Sequence, residues 1–261
     1  MKKTTKYIFI AVVLVVLLAL FSPDSWKLRL LRETKYIRFV MERMGQSSLG
    51  LLHSVVNPDG TFDSESVLTV PFYKQKYSLS CEIASLRMAL AYKWVYVEED
   101  ELIEDLIFVT KAPPTTNAQT GEVVWGDPNL GFVGLINGKM PVTGYGVYEK
   151  PILDLALKHR EASVLSPATL ENLIYEIGRS NPVVVWGSLT DGKDISWTDY
   201  NGNKIKAVAG EHARVAIGFR GEADNPTHII VLDPVYGKIV MTKEKFVKDW
   251  GLLENKGVVV Y

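Results

Sequence analysis

Apolar positions along this chain change period several times, and each change predicts an element. Tyr7 to Phe21 is an uninterrupted apolar run behind a basic head, Met1-Lys2-Lys3-Thr4-Thr5-Lys6. From Ser25 to about Gly45 the period becomes helical, with Leu30, Thr34, Ile37, Val40, Met41 and Met44 on one side and Lys27, Arg38 and Glu42 among the polar positions. Gln46 to Ser66, containing Pro58-Asp59-Gly60, reads as a linker. Glu82 to Ala91 is strongly helical and begins at Cys81. Ala168 to Gly178 is helical through Leu170, Leu173, Ile174 and Ile177, and Asn181-Pro182 ends it. Val183 to Trp186 reads as a buried strand, and Ile195 to Val208 as a hairpin about Asn201-Gly202.

Gly210 to Phe219 alternates, with Ala213, Val215, Ile217 and Phe219 on one face and His212, Ala216 and Gly218 on the other. After a polar loop, Thr227 to Asp233 forms a second strand, stopped by Pro234. Folding this hairpin symmetrically pairs Val215 with Ile230, Ala213 with Leu232 and His212 with Asp233. A slip of one residue would separate His212 from Asp233. Lys243 to Trp250 predicts a short helix and Gly257 to Tyr261 a closing strand. An early helical half followed by an antiparallel sheet is an α+β fold.

The chain has 261 residues, 29 Lys and Arg against 30 Asp and Glu, and one cysteine. Its formal net charge of −1 gives no reason to invoke nucleic acid. No CxxC, HExxH or other metal spacing occurs, and Asp127, His159 and His228 are scattered, so neither metal nor cofactor is expected. The organisation predicted is an N-terminal membrane anchor at 1–23, an amphipathic helix and linker at 24–65, and one domain at 66–261 with a sizeable core.

A helix of the length of Tyr7–Phe21 spans ~22 Å, short of the ~30 Å hydrocarbon core. Including Thr4 to Ser22, with Lys6 snorkelling, brings it close. A cleaved signal peptide is the rival reading, but bulky Phe21 spoils a small-x-small site and Pro23 would adjoin a cut after Ser22. Lysines and arginines flank both sides, so charge does not set the orientation. The short basic head favours a single-pass anchor in the cell membrane with the domain extracytoplasmic; cleavage would make the protein secreted. Two placements are open to the basic helix: on the lipid surface, or packed against the domain.

Cys81 carries the candidate chemistry. A thiol at a helix N-terminus feels the positive end of the helix dipole, which favours the thiolate. A His oriented by an Asp and presented to such a thiol is what nucleophilic cysteine catalysis needs. His212 and Asp233 follow in that order. Gln75, six residues before Cys81, places an amide where it can donate to an oxyanion, with the Cys81 N–H as second donor. Trp125, Phe132 and Tyr145 lie in a long loop from Lys111 to Val147, and Tyr148 directly follows it. They either line the cleft or pin the loop to the domain.

Several separated stretches resemble the C39-like cysteine peptidases, a papain-like family. Val70 to Gln75 with Cys81 to Leu86 is similar to the opening motif, Trp125 to Gly134 and Gly144 to Tyr148 to the middle block, and Gly210-Glu211-His212 with Leu232-Asp233-Pro234 to the closing half. The resemblance covers about residues 66–261. It implies a papain-like fold with Cys81 as nucleophile, His212 as base, Asp233 as orienting residue and Gln75 in the oxyanion hole. Exporter-linked members cut leader peptides after a double glycine. This chain lacks their transporter helices and nucleotide-binding loop, so that substrate is not carried over. Glu82 directly after the nucleophile matches the stand-alone branch.

The expectation is a membrane-anchored cysteine hydrolase acting on a peptide or isopeptide amide in a peptide or protein substrate, with Cys81 and His212 resting as an ion pair. Three rivals stay open: cleavage of cell-wall peptide cross-links, acyl transfer to an amine, and a peptide-binding module on a retired peptidase fold.

Overall fold

The computed structural model describes residues 53–56, 62–165 and 168–261. The apolar run at 7–21 and the basic helix at 25–45 lie outside the described residues. Among those described, no helix is long and apolar enough to cross a membrane.

The fold is α+β, with few helices and mostly antiparallel sheet. Eight strands form the main sheet: β1 (His53–Val56), β2 (Phe62–Val67), β3 (Ala162–Val164), β4 (Val183–Ser188), β5 (Glu211–Glu222), β6 (Asn225–Asp233), β7 (Gly237–Thr242) and β8 (Gly257–Val260). Its backbone order is β1-β2-β5-β4-β8-β3, and β6 and β7 continue from the other edge of β5. β5 is long enough to serve two partners on one edge, β4 over Glu211–Ala216 and β2 over Gly218–Arg220. The stretch read as a linker therefore carries two strands, and β2 joins the sheet.

Five helices are described: α1 (Cys81–Tyr92), α2 (Glu99–Asp105), α3 (Glu149–Leu157), α4 (Leu170–Gly178) and α5 (Lys243–Gly251). They are spread through the chain rather than gathered in an early half. The N-terminus of α4 has a clear cause: Thr169 Oγ1 accepts the Asn172 N–H at 3.2 Å. Thr242 caps α5 in the same way through Lys245 N–H, at 3.3 Å.

The sheet is covered on both faces. α1 is buried nearly all round, the environment its apolar composition requires. Ile83, Leu86 and Leu90 pack with Ala213, Val215, Ile217, Ile230 and Leu232. On the other face Leu173, Ile177, Phe246 and Trp250 pack with Val183, Val185, Ala216, Phe219 and Val231. Phe219 departs from the simple alternation because β5 is irregular between Ala216 and Gly218. One extra residue there moves the later side chains to the opposite face.

The loop from Lys111 to Val147 is threaded by short strands of two small sheets. Trp125, Phe132, Tyr145 and Tyr148 are all buried. Trp125 donates Nε1–H to Ala112 O at 2.9 Å, and its ring meets Trp197 edge-on at 5.5 Å. Of the two roles open to these aromatics, pinning the loop is the one observed.

Candidate active site

Cys81 opens α1 at the point where the loop 75–80 turns into the core. That loop is held from three sides. Gln75 N–H donates to Pro234 O at 2.9 Å, Leu79 N–H to Ile136 O at 2.9 Å, and Ser80 Oγ to Glu99 Oε1 at 2.6 Å. The first of these ties the start of the loop to the end of β6, next to Asp233.

His212 Nε2 lies 2.9 Å from Asp233 Oδ2. The hairpin register is not the symmetric one. Val215 pairs with Leu232, two residues away from the expected Ile230, and the strands run on to a tight turn between Glu222 and Asn225. Continuing the pairing brings Asp233 opposite Arg214 rather than His212. Ahead of the irregularity at Ala216–Gly218 a shift by two keeps each side chain on its face, so His212 still reaches Asp233 diagonally.

Arg214 shares that face and was not singled out from the sequence. Its Nε–H donates to the same Asp233 Oδ2 at 2.9 Å, Nη1 to Asp249 Oδ2 at 2.8 Å and Nη2 to Ser188 O at 3.0 Å. Asp233 Oδ1 accepts the N–H groups of Val235 and Tyr236 at 2.8 and 3.1 Å. Burial raises the Asp233 pKa, but the hydrogen bond and charge of His212, followed by the Val235 and Tyr236 N–H groups, outweigh it and hold the carboxyl well below the usual carboxylate range. Burial pushes the His212 pKa down, against the upward pull of Asp233. An ionised Asp233 accepts only, so neutral His212 carries its proton on Nε2 and leaves Nδ1 bare.

The thiol faces elsewhere. Cys81 S–H donates to Glu82 Oε2 at 3.2 Å, and Ala213 N–H donates to Sγ at 3.5 Å. Sγ thus sits beside the backbone next to His212, and among the described residues it makes no hydrogen bond with the imidazole. Burial first, then the nearby Glu82 and Glu211 carboxyls, push the thiol pKa well up. A helix N-terminus contributes about 0.3–2 kcal/mol toward an anion. Full burial moves a pKa by up to ~3–5 units, roughly 4–7 kcal/mol, the other way. Both directions run against the ion pair expected from the sequence.

Glu82 and Glu211 form the second buried group. Glu82 accepts the Val147 N–H on Oε1 at 2.7 Å, and burial pushes its pKa up to about 7. Glu211 is raised well above the usual range by burial and by Glu82. Both carboxylates approach Gly146, whose φ is +139°. A Cβ there would stand 2.5 Å from Glu82 Oε1 and 2.7 Å from Glu211 Oε2. The sequence signal for these residues is charge at inward positions of apolar elements: Glu82 in α1, and Glu211 and Arg214 in β5.

Gln75 is placed at the mouth of the loop, but its amide faces inward. Nε2 donates to Tyr77 O at 2.8 Å and Ser78 O at 3.1 Å, and Oε1 is buried without a partner. No described cluster involves Asp127, His159 or His228 as metal ligands; the one close donor group among the described residues is Cys81, Glu82 and Glu211.

No curated protein matches the chain. A solved structure from Bacillus anthracis, whose own assignment as a C39-like peptidase is an inference, superimposes with a TM-score of 0.64 at 27% identity. It covers 76% of this chain and 98% of that one. The model of the Peptidase_C39 like family matches residues 67–258, from the end of β2 through α1, the middle block and the β5–β6 hairpin to β8, so the chain belongs to that family.

Proposed function

We propose that the protein is a cysteine peptidase in which Cys81 attacks a peptide or isopeptide carbonyl, His212 is the base and Asp233 orients it. The observation that carries this reading is the approach of the Cys81 thiol to within 3.5 Å of the amide next to His212, whose far nitrogen Asp233 holds. Bare Nδ1 is the acceptor for the thiol proton. As the S–C bond forms, that proton passes from Sγ to Nδ1, and the carbonyl electrons move to oxygen. The Cys81 N–H and the Gln75 amide serve the oxyanion. Imidazolium then protonates the leaving amine, and water, losing a proton to His212, releases the acyl group. Two turns separate the resting site from this arrangement: Sγ from Glu82 toward Nδ1, and the Gln75 amide from Tyr77 O and Ser78 O. Active sites commonly tighten in this way when substrate binds.

Membrane placement rests on the sequence at 1–23 alone. Its test is whether external protease removes the domain from intact cells; a domain fully shielded from it counts against extracytoplasmic placement.

One observation favours a second reading, a peptide-binding module on the same fold: thiol and imidazole are not hydrogen-bonded to each other at rest. Incubating the full-length protein with a mixture of unrelated peptides, read by mass spectrometry, separates the two. Cleavage that disappears in Cys81→Ala and slows about 10²–10⁴-fold in His212→Ala supports the peptidase. Peptides retained but left intact support the module. Undiminished cleavage by Cys81→Ala removes Cys81 as nucleophile.

A further inference from the structure

Glu211 is 3% exposed, yet neither of its carboxylate oxygens has a hydrogen-bond donor. A carboxylate in that position needs a positive partner, either a proton or a cation. Arg214, on the same strand, spends its donors on Asp233, Asp249 and Ser188. Glu211 instead lies beside two other possible metal ligands. One ligand atom each from Cys81, Glu82 and Glu211 lie within 4.8 Å of one another, and all three residues are buried.

The geometry is close to that of a metal half-site. Tetrahedral Zn²⁺ with thiolate at ~2.3 Å and carboxylate at ~2.1 Å sets its ligands ~3.6 Å apart. Sγ and Glu82 Oε2 are already 3.2 Å apart. The glycine at 146 keeps side-chain atoms out of the side on which Glu82 Oε1 and Glu211 Oε2 converge. One sulfur with two carboxylates suits a borderline-soft divalent cation better than Ca²⁺ or Mg²⁺.

We propose that Cys81, Glu82 and Glu211 form a binding site for Zn²⁺ or a similar thiophilic divalent cation, and that its occupation silences the nucleophile. Binding forms a metal–sulfur bond and releases the thiol proton, together with any proton the two carboxyls share. The metal holds Sγ away from His212, so the thiol is unavailable for attack. The silencing half rests on Cys81 being the nucleophile; the site itself does not.

Cobalt gives a readout that needs no substrate. Metal-free full-length protein is titrated with Co²⁺, and the near-ultraviolet sulfur-to-cobalt absorption is followed, then its displacement by Zn²⁺. Expected are one equivalent bound in the wild type, no such band in Cys81→Ser, and affinity weakened at least about tenfold in Glu211→Gln. The band persists in His212→Ala. Should Glu211→Gln fail to fold, Glu82→Gln is expected to show the same weakening. Absence of the band in folded wild type would mean that the carboxyls share a proton only, and the site falls. A band indifferent to both Glu variants, or lost in His212→Ala, also overturns it, because the metal would then sit between Cys81 and His212. Peptide cleavage without cobalt binding removes the metal site alone, whereas cobalt binding without cleavage removes only the peptidase reading.

Discussion

His212 Nε2 and Asp233 Oδ2 lie 2.9 Å apart, and the oxygen they share is also held by the Arg214 guanidinium. Asp233 therefore orients the imidazole while part of its charge is answered by Arg214. This arrangement favours a neutral imidazole at rest, with Nδ1 as the free acceptor.

Exchanging Asp233 for Asn tests that orientation. An amide can offer a donor to Nε2, which transfers the ring proton to Nδ1 and removes the base. Asp233→Asn is expected to lower kcat about 10²–10⁴-fold, with the larger figure set by the analogous change in serine proteases. Steady-state kinetics on a cleaved peptide measures it, and an unchanged kcat rules out the orienting role.

Arg214 ties β5 to both Asp233 and Asp249 while almost fully buried. Removing one partner from a buried ionic group leaves uncompensated charge, costing about 3–5 kcal/mol. Arg214→Met is expected to lose that much in urea unfolding. A loss below about 1 kcal/mol would place the network in the weak class of exposed ion pairs.

Asp233 and His212 each lose stability on the acid side. Asp233 has a folded pKa depressed below its unfolded value, so its contribution is present above ~3.9 and is lost as pH falls through the folded pKa. His212 has its folded pKa lowered from the ordinary 6.5. Below that value the unfolded chain takes the proton more readily, and stability drops. Glu82 and Glu211 act in the opposite sense, because burial raises their folded pKa and the folded protein takes their protons first as pH falls. The His212 contribution is therefore read as a difference: between pH 6.5 and 5 the urea midpoint of His212→Ala is expected to fall less, or rise more, than that of wild type, and identical profiles contradict the assignment.

Gly146 has no room for a methyl group. Its backbone sits at φ +139° and the Cβ position is occupied by the two carboxylates. Gly146→Ala is expected to cost about 1–3 kcal/mol for the backbone alone, with further loss from displacing Glu82. Thermal unfolding checks it, and a melting temperature equal to wild type refutes the close packing.

Much of the architecture was legible as periodicity. α1, α4, α5, β4, β5, β6 and β8 follow from local apolar spacing, and so does the placing of His212 and Asp233 on one face. A period of two survives a register shift of two, which is why that pair could be anticipated from a wrong pairing. The helix start at Cys81 was legible too, as was the resemblance to the C39-like family.

What only the tertiary structure decided are the quantities that depend on who is opposite whom. The tight turn at Glu222–Asn225 and the bulge at Ala216–Gly218 set the true register, and the bulge sent Phe219 to the other face. Two strands arose in a stretch rich in turn signals because β5 offered a free edge to β2. The thiol's raised pKa comes first from burial and then from Glu82 and Glu211, which lie far apart in sequence and meet beside Gly146. Local sequence carries the helix dipole, a short-range and modest effect. Burial and long-range charge are larger, and they exist only once the chain has folded around them.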